Sequence, residues 1–255
     1  MLNIHDRRMM NAKRHVTVNA CFWMLEAFAL LSLVLFIFYG NHSKIALSAV
    51  TLLLLYCPQL VERLFGITLS TAVHIFALFY AIGPLLGHTY NFYYMIPWWD
   101  NLLHFMGGVV FALLGYYLPD LTDRQNNRHS TLLKYLSAIC LSLAAAVVWE
   151  FFEYGMDQLF HTDMQNDTIV NNITSYYFGS EPGVAGTISD IQSVIINGVD
   201  IGLDGYLDIG LHDTMIDMLV CALGMVLFCL VRLLDKSKRE YIDVPCKEGQ
   251  NKTEL

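Results

Sequence analysis

Residues 132–157, LLKYLSAICLSLAAAVVWEFFEYGMD, decide how the rest of this chain is read. Between Lys134 and Glu150 no residue is charged, and the run is rich in Leu, Ala and Val. At about 1.5 Å per residue, a helix of this length crosses the roughly 30 Å hydrocarbon core of a bilayer. It ends on three acids, Glu150, Glu153 and Asp157. Their spacings of three and four put them on one helix face. A membrane-spanning helix closing on such a triplet fixes both the fold class and where function is to be sought.

Working outward, five further segments have comparable length and apolarity: 17–39, 45–61, 69–88, 100–118 and 214–234. Pro58 and Glu62-Arg63 crowd the end of the second. The chain is 55% hydrophobic and only 15% charged, with a mean hydropathy of +0.45. Soluble domains carry about 25% charged residues. The fold expected is all-α: a polytopic membrane bundle of six transmembrane helices. The expected organisation is a basic N-terminus at 1–16, a single six-helix domain at 17–235 and a tail at 236–255. The first span follows Arg7, Arg8, Lys13 and Arg14 like a signal peptide. Its apolar run is long and no small-residue cleavage site follows, so it reads as a retained helix.

Charge sets the orientation. With both termini cytoplasmic, the inside segments hold fourteen of the fifteen Lys and Arg residues and the outside segments hold Lys44 alone. That asymmetry is the positive-inside pattern, and a five- or seven-span arrangement would break it. Tyr93, Tyr94, Trp98 and Trp99 then gather at the outer interface, where amphipathic rings prefer to sit. Five of the six cysteines fall in apolar segments and Cys246 in the tail, so a disulfide framework is not expected.

In this topology three ionisable clusters share the outer side: Asp100 with His104, Glu150 with Glu153 and Asp157, and Asp213 with Asp217. His104 and Asp217 lie one turn deeper than Asp100 and Asp213. Asp100 and Asp213 have a plain alternative role as helix N-caps, a position that also suits the dipole. Glu150 and Glu153 have no such role, because they lie near a helix C-terminus, where further acid is unfavourable. So many carboxylates side by side require shared protons or a cation. An oxygen-rich set with one imidazole favours Mg²⁺, Mn²⁺ or Ca²⁺ over Zn²⁺ or Fe²⁺. Gly108 and Gly224 continue the stripes of the fourth and sixth spans and are expected to let those helices pack closely.

Residues 158–212 form a long outer connection with no Lys or Arg. Asp200-Ile-Gly-Leu recurs as Asp208-Ile-Gly-Leu and leads into His212-Asp213, which reads as a lid over the acids or as a plain solvated loop. Its spacing does not fit an EF-hand. Glu26 and His74 are further ionisable groups inside spans, readable as interior polar groups or as stations on a proton path. No P-loop, dinucleotide fingerprint, nucleophile elbow or His-Glu-x-x-His motif is present, and nucleic acid is excluded as a partner by the lack of outer basic surface.

The stretches Trp98-Trp99-Asp100-Asn101-Leu102-Leu103-His104-Phe105, Trp149-Glu150-Phe151-Phe152-Glu153-Tyr154 and Asp213-Thr214-Met215-Ile216-Asp217-Met218 resemble the YjdF-type bacterial inner-membrane proteins. More distantly they are similar to VanZ-like proteins, which usually carry Gln where Glu153 stands and commonly Asn where Asp217 stands. The resemblance covers the fourth to sixth spans. It implies a bacterial cytoplasmic membrane and a family of mostly undefined biochemistry, with glycopeptide resistance in one branch.

The functional expectation is an outward-facing divalent-cation site built from Asp100, His104, Glu150, Glu153, Asp157, Asp213 and Asp217. If the protein is an enzyme, His104 and Glu150 are its catalytic candidates, for hydrolysis or transfer on a lipid-linked or envelope substrate. The alternatives are a proton- or cation-coupled transporter and a non-catalytic envelope or resistance factor.

Overall fold

The computed structural model describes residues 4–123, 129–235 and 241–244. Arg124, Arg128, Lys236, Lys238, Arg239, Cys246, Lys247 and Lys252, which enter the charge and cysteine readings above, lie outside the described residues. The chain forms two compact units, one of residues 1–144 and 220–255 and one of residues 145–219. Six helical segments are long and apolar enough to cross a membrane: Arg14–Tyr39, His42–Phe65, Thr71–Thr89, Trp99–Thr122, Thr131–Leu159 and Leu211–Leu234. They coincide with the six expected spans; five are extended by a few residues at one or both ends, and the third is shifted to start at Thr71 and end at Thr89.

In the first unit, α1 (Ile4–Tyr39) is a single long helix. The second span is broken into α2 (His42–Leu54) and α3 (Cys57–Phe65), with Pro58 in the first turn of α3. Proline lacks the N–H that would continue the ladder, so the break falls where the sequence crowds. Gly66, in the left-handed region at φ 54°, closes α3. The short strand β1 (Thr68–Leu69) leads through the Ser70 N-cap into α4 (Thr71–Pro84), which ends in a π turn at Leu85–Thr89. A short helix α5 (Phe92–Met95) precedes α6 (Trp99–Thr122).

Two apolar cores hold this unit. Phe22, Ala29, Leu55, Leu78, Ile82 and Leu85 form one, and Leu69, Ala112, Tyr116, Tyr117, Phe228 and Ile242 are central to the other. Leu, Phe and Trp side chains remain exposed over much of the helical surface, Trp23 and Phe38 among them. Such a surface suits lipid contact.

The last two long helices are α7 (Thr131–Phe160) and α8 (Leu211–Leu234). In α7, Ala138, Ser142, Ala146 and Glu150 are buried at a spacing of four, with Glu153 next, while Leu143, Val147, Val148 and Phe151 are exposed. One stripe of α7 is thus small or acidic, and the opposite side is greasy. The glycine expectation holds: a Cβ on Gly108 would run into the Cys221 carbonyl, and one on Gly224 into the Phe105 carbonyl. Backbone meets backbone where α6 crosses α8, and Ser142 Oγ donates to the Gly108 carbonyl at 3.2 Å.

In the second unit the connection between α7 and α8 has more order than its composition suggests. It holds β2 (Thr168–Val170), β3 (Ile173–Ser175), β4 (Gly186–Ile188), β5 (Ile195–Ile196), β6 (Val199–Asp200) and β7 (Tyr206–Asp208). They pair antiparallel as β2 with β7, β3 with β4 and β5 with β6. The β5–β6 turn is Asn197-Gly198, both at positive φ, the pattern of a tight two-residue hairpin. A last strand, β8 (Ile242–Asp243), returns to the first unit and pairs with β1, placing Leu69 opposite Ile242. Part of the expected C-terminal tail is therefore folded onto the helices. Among the described residues Cys21, Cys57, Cys140, Cys221 and Cys229 form no disulfide.

Candidate functional site

The second unit gathers four of the acids singled out from the sequence. Glu150, Glu153 and Asp217 are 5%, 4% and 1% exposed, and each offers a carboxylate oxygen within 4.8 Å of the others. An oxygen of Asp213 lies within the same distance of one from Asp217. Two ligands on one ion at about 2.0–2.6 Å stand at most about 5 Å apart, so this spacing suits a common cation. Each ionised carboxylate taken from water costs several kcal/mol unless compensated, and three within this distance also repel one another.

The neighbours of these acids come from the helices and from the connection. Trp149 Nε1 donates to Glu153 Oε1 at 2.8 Å. Gln165 Nε2 donates to Thr214 Oγ1 at 2.6 Å, and both side chains lie beside the Glu150 carboxyl. Asn166 Nδ2 donates to Asp213 Oδ2 at 3.3 Å. Gln165 and Asn166 carried no signal in the sequence. They act through the path of the connection, which no local spacing encodes.

Asp157 has a different setting. Its Oδ1 accepts from Thr162 Oγ1 and the Met164 N–H, both at 2.7 Å, and its Oδ2 accepts from the Gln165 N–H at 2.9 Å. Both oxygens fasten the start of the connection to the end of α7, and Asp157 belongs to neither group of clustered ligand atoms. The Asp-Ile-Gly-Leu repeat also resolves into turn chemistry. Asp200 Oδ1 accepts from the Gly202 N–H at 2.9 Å, and Asp208 Oδ2 accepts from the His212 N–H at 2.7 Å, capping α8.

In the first unit, His104 is 9% exposed and its Nε2 lies 3.7 Å from Asp100 Oδ1, one turn earlier on α6. The N-cap of α6 is Trp98, with no side-chain capping bond, so Asp100 is a first-turn acid and not the cap. Glu26 is partly buried beside Tyr56, and His74, at 1% exposure, lies beside Glu62.

The model of a family described as predicted membrane protein (DUF2238) matches residues 21–236. The chain belongs to this family. No curated protein and no solved structure matches it. The family match covers the first helical segment from residue 21 onward, the other five in full and the connection between α7 and α8, so the buried carboxylates lie wholly inside it.

Proposed function

We propose that Glu150, Glu153, Asp213 and Asp217 form a divalent-cation site near the outer face of a bacterial cytoplasmic membrane, as the resemblance to YjdF-type and VanZ-like proteins implies. The observation that carries this reading is the set of three buried carboxylates with ligand oxygens within 4.8 Å of one another. A resident Mg²⁺, Mn²⁺ or Ca²⁺ would balance their charge and, when bound, supply Lewis-acid polarisation and an activated water. Asp100 is an outer member of the proposed set, and His104 joins it as a ligand or as a base accepting a proton at its imidazole, whereas Asp157 stands outside it because both of its oxygens are taken up by the connection. The substrate class is a lipid-linked or envelope molecule presented from the bilayer, and the reaction class is hydrolysis or transfer.

Titration of Mn²⁺ into the purified full-length protein, followed by its paramagnetic resonance, tests this. One bound ion per chain is expected, with affinity reduced by about tenfold or more in Glu150→Gln and Asp217→Asn. His104→Gln reports whether the imidazole belongs to the donor set. Absence of binding by the wild-type protein overturns the reading.

The Asp213–Asp217 pair favours one second reading. Two carboxyls with oxygens within 4.8 Å of one another can hold a shared proton instead of a metal, which is the chemistry of a proton-coupled transporter. Reconstituted liposomes separate the two, because only the transporter moves a solute across the bilayer unchanged.

A further inference from the structure

Beside the N-terminal part of α1, the first unit contains a cleft of about 160 Å³ lined by Arg14, His15, Glu62, Arg63 and His74. Arg14 and Glu62 are committed to each other as an ion pair, and both are tied to the backbone of β1. Arg14 Nε donates to the Leu69 carbonyl at 3.0 Å, and the Leu69 N–H donates to Glu62 Oε1 at 2.8 Å. With Glu62 neutralised in this way, the positive charge of Arg63 is left in excess. Arg63 is exposed in the last turn of α3 and has no ion-pair partner among the described residues. His74 is fully buried, and neither ring nitrogen has a hydrogen-bond partner among the described residues. The cleft therefore offers one surplus guanidinium and a buried imidazole whose Nδ1 lies 3.7 Å from Glu62 Oε1, too far for a hydrogen bond.

The cleft continues into a groove of about 460 Å³ that shares Asn19, Gln59 and Arg63 with it and is otherwise walled by Phe22, Trp23, Tyr56 and Leu60. Phe22 and Trp23 lie two turns beyond Arg14 along α1. Tyr56 and Leu60 lie one to two turns before Arg63 along α3. Both helices thus carry the groove from the basic end toward the hydrocarbon. A free phosphate would use the cleft and leave the groove empty, whereas a phospholipid fills both.

We propose that the cleft and groove between α1 and α3 bind one anionic phospholipid of the inner leaflet. Its phosphate sits against Arg63 and His74, and an acyl chain lies along Trp23, Tyr56 and Leu60. Charge complementarity selects the headgroup, since each basic residue near an anionic leaflet contributes about 1 kcal/mol. The broken second span has a use in this arrangement, because the break at Leu55–Tyr56 frees α3 to form the second wall of the groove.

The test is native mass spectrometry of the full-length protein after exchange into nanodiscs of phosphatidylglycerol, or of phosphatidylcholine with the same acyl chains. A parallel arm adds inorganic phosphate to the protein in detergent. One retained phosphatidylglycerol per chain is expected, together with little retention of phosphatidylcholine and no binding of phosphate alone. Arg63→Gln should lower retention about fivefold, with an unchanged unfolding midpoint because Arg63 holds no internal partner. Trp23→Ala should lower retention of phosphatidylglycerol and leave its preference over phosphatidylcholine intact. Equal retention of the two lipids, binding of free phosphate as strong as that of the lipid, or an Arg63→Gln protein that retains lipid normally each overturns the proposal.

Discussion

A Cβ on Gly108 of α6 would overlap the carbonyl oxygen of Cys221 on α8, so at this crossing the two helices touch through their backbones. Transmembrane helices have no hydrophobic drive toward one another in lipid and rely on such close packing. Gly108→Ala should therefore destabilise the protein by about 1–3 kcal/mol, the usual cost of overpacking a tight core. Gly155, in α7, is the control, since a Cβ there meets nothing within 4 Å. Gly155→Ala should be neutral or stabilising by up to about 1 kcal/mol, because alanine is the better helix former. Thermal unfolding in detergent compares the two directly.

Glu62 links α3 to α1 and to β1 through Arg14 and the Leu69 N–H. Glu62→Gln keeps an acceptor for Leu69 but leaves the Arg14 guanidinium without its counter-charge. A loss of about 1.5–3 kcal/mol is expected, the range for a hydrogen bond to a charged group. Glu62→Asp should recover part of it. The order of the three unfolding midpoints is the measurement.

Asp157 holds the Met164 and Gln165 N–H groups and the Thr162 hydroxyl. Removing the carboxylate in Asp157→Ala leaves these donors to water and unfastens the start of the connection between α7 and α8. Hydrogen exchange at Met164 and Gln165 should accelerate by about tenfold or more, in line with about 1–2 kcal/mol lost at a capping site. Exchange in α6 should be unaffected. If Asp157 instead stays indispensable only when a metal is supplied, the loop-fastening role is wrong.

Asp167 provides a pH signature outside the spans. Desolvation raises its pKa above the usual aspartate value, and the charges of Asp163, Asp157 and Asp208 add to the effect. A carboxyl with a raised folded-state pKa binds its proton more tightly folded than unfolded. Its influence on stability is therefore most favourable at low pH and is lost as pH rises from the unfolded value through the raised one. Asp167→Asn should remove that part of the pH dependence and raise the unfolding midpoint at pH 7 relative to the wild type. At pH 3 the two proteins should match.

Much of the fold was legible in single segments. Six apolar runs of spanning length, with Lys and Arg concentrated on alternate connections, are enough to expect the bundle because the bilayer imposes one length and one charge rule on every span. Gly108 and Gly224 announced the α6–α8 crossing, since only a residue without a Cβ permits such an approach. The hairpin at Asn197-Gly198 was also readable in principle, as the two-residue turn needs positive φ at both positions.

The sequence by itself determined the class of the protein, the number of spans, the buried character of Glu150 and Glu153, and the family to which the match at residues 21–236 assigns it. Helix periodicity and the cost of charge in hydrocarbon act within a few turns of chain, so they can be read locally. Tertiary structure alone decided that Asp157 fastens a loop, that Asp208 and not Asp213 caps α8 through a side-chain bond to the His212 N–H, and that Gln165 reaches Thr214. It alone folded the chain near Ile242 back onto Leu69. Each of these contacts joins residues through the path of a connection or across many residues, and the geometry of such closures is set by the packed whole rather than by any short window of residues.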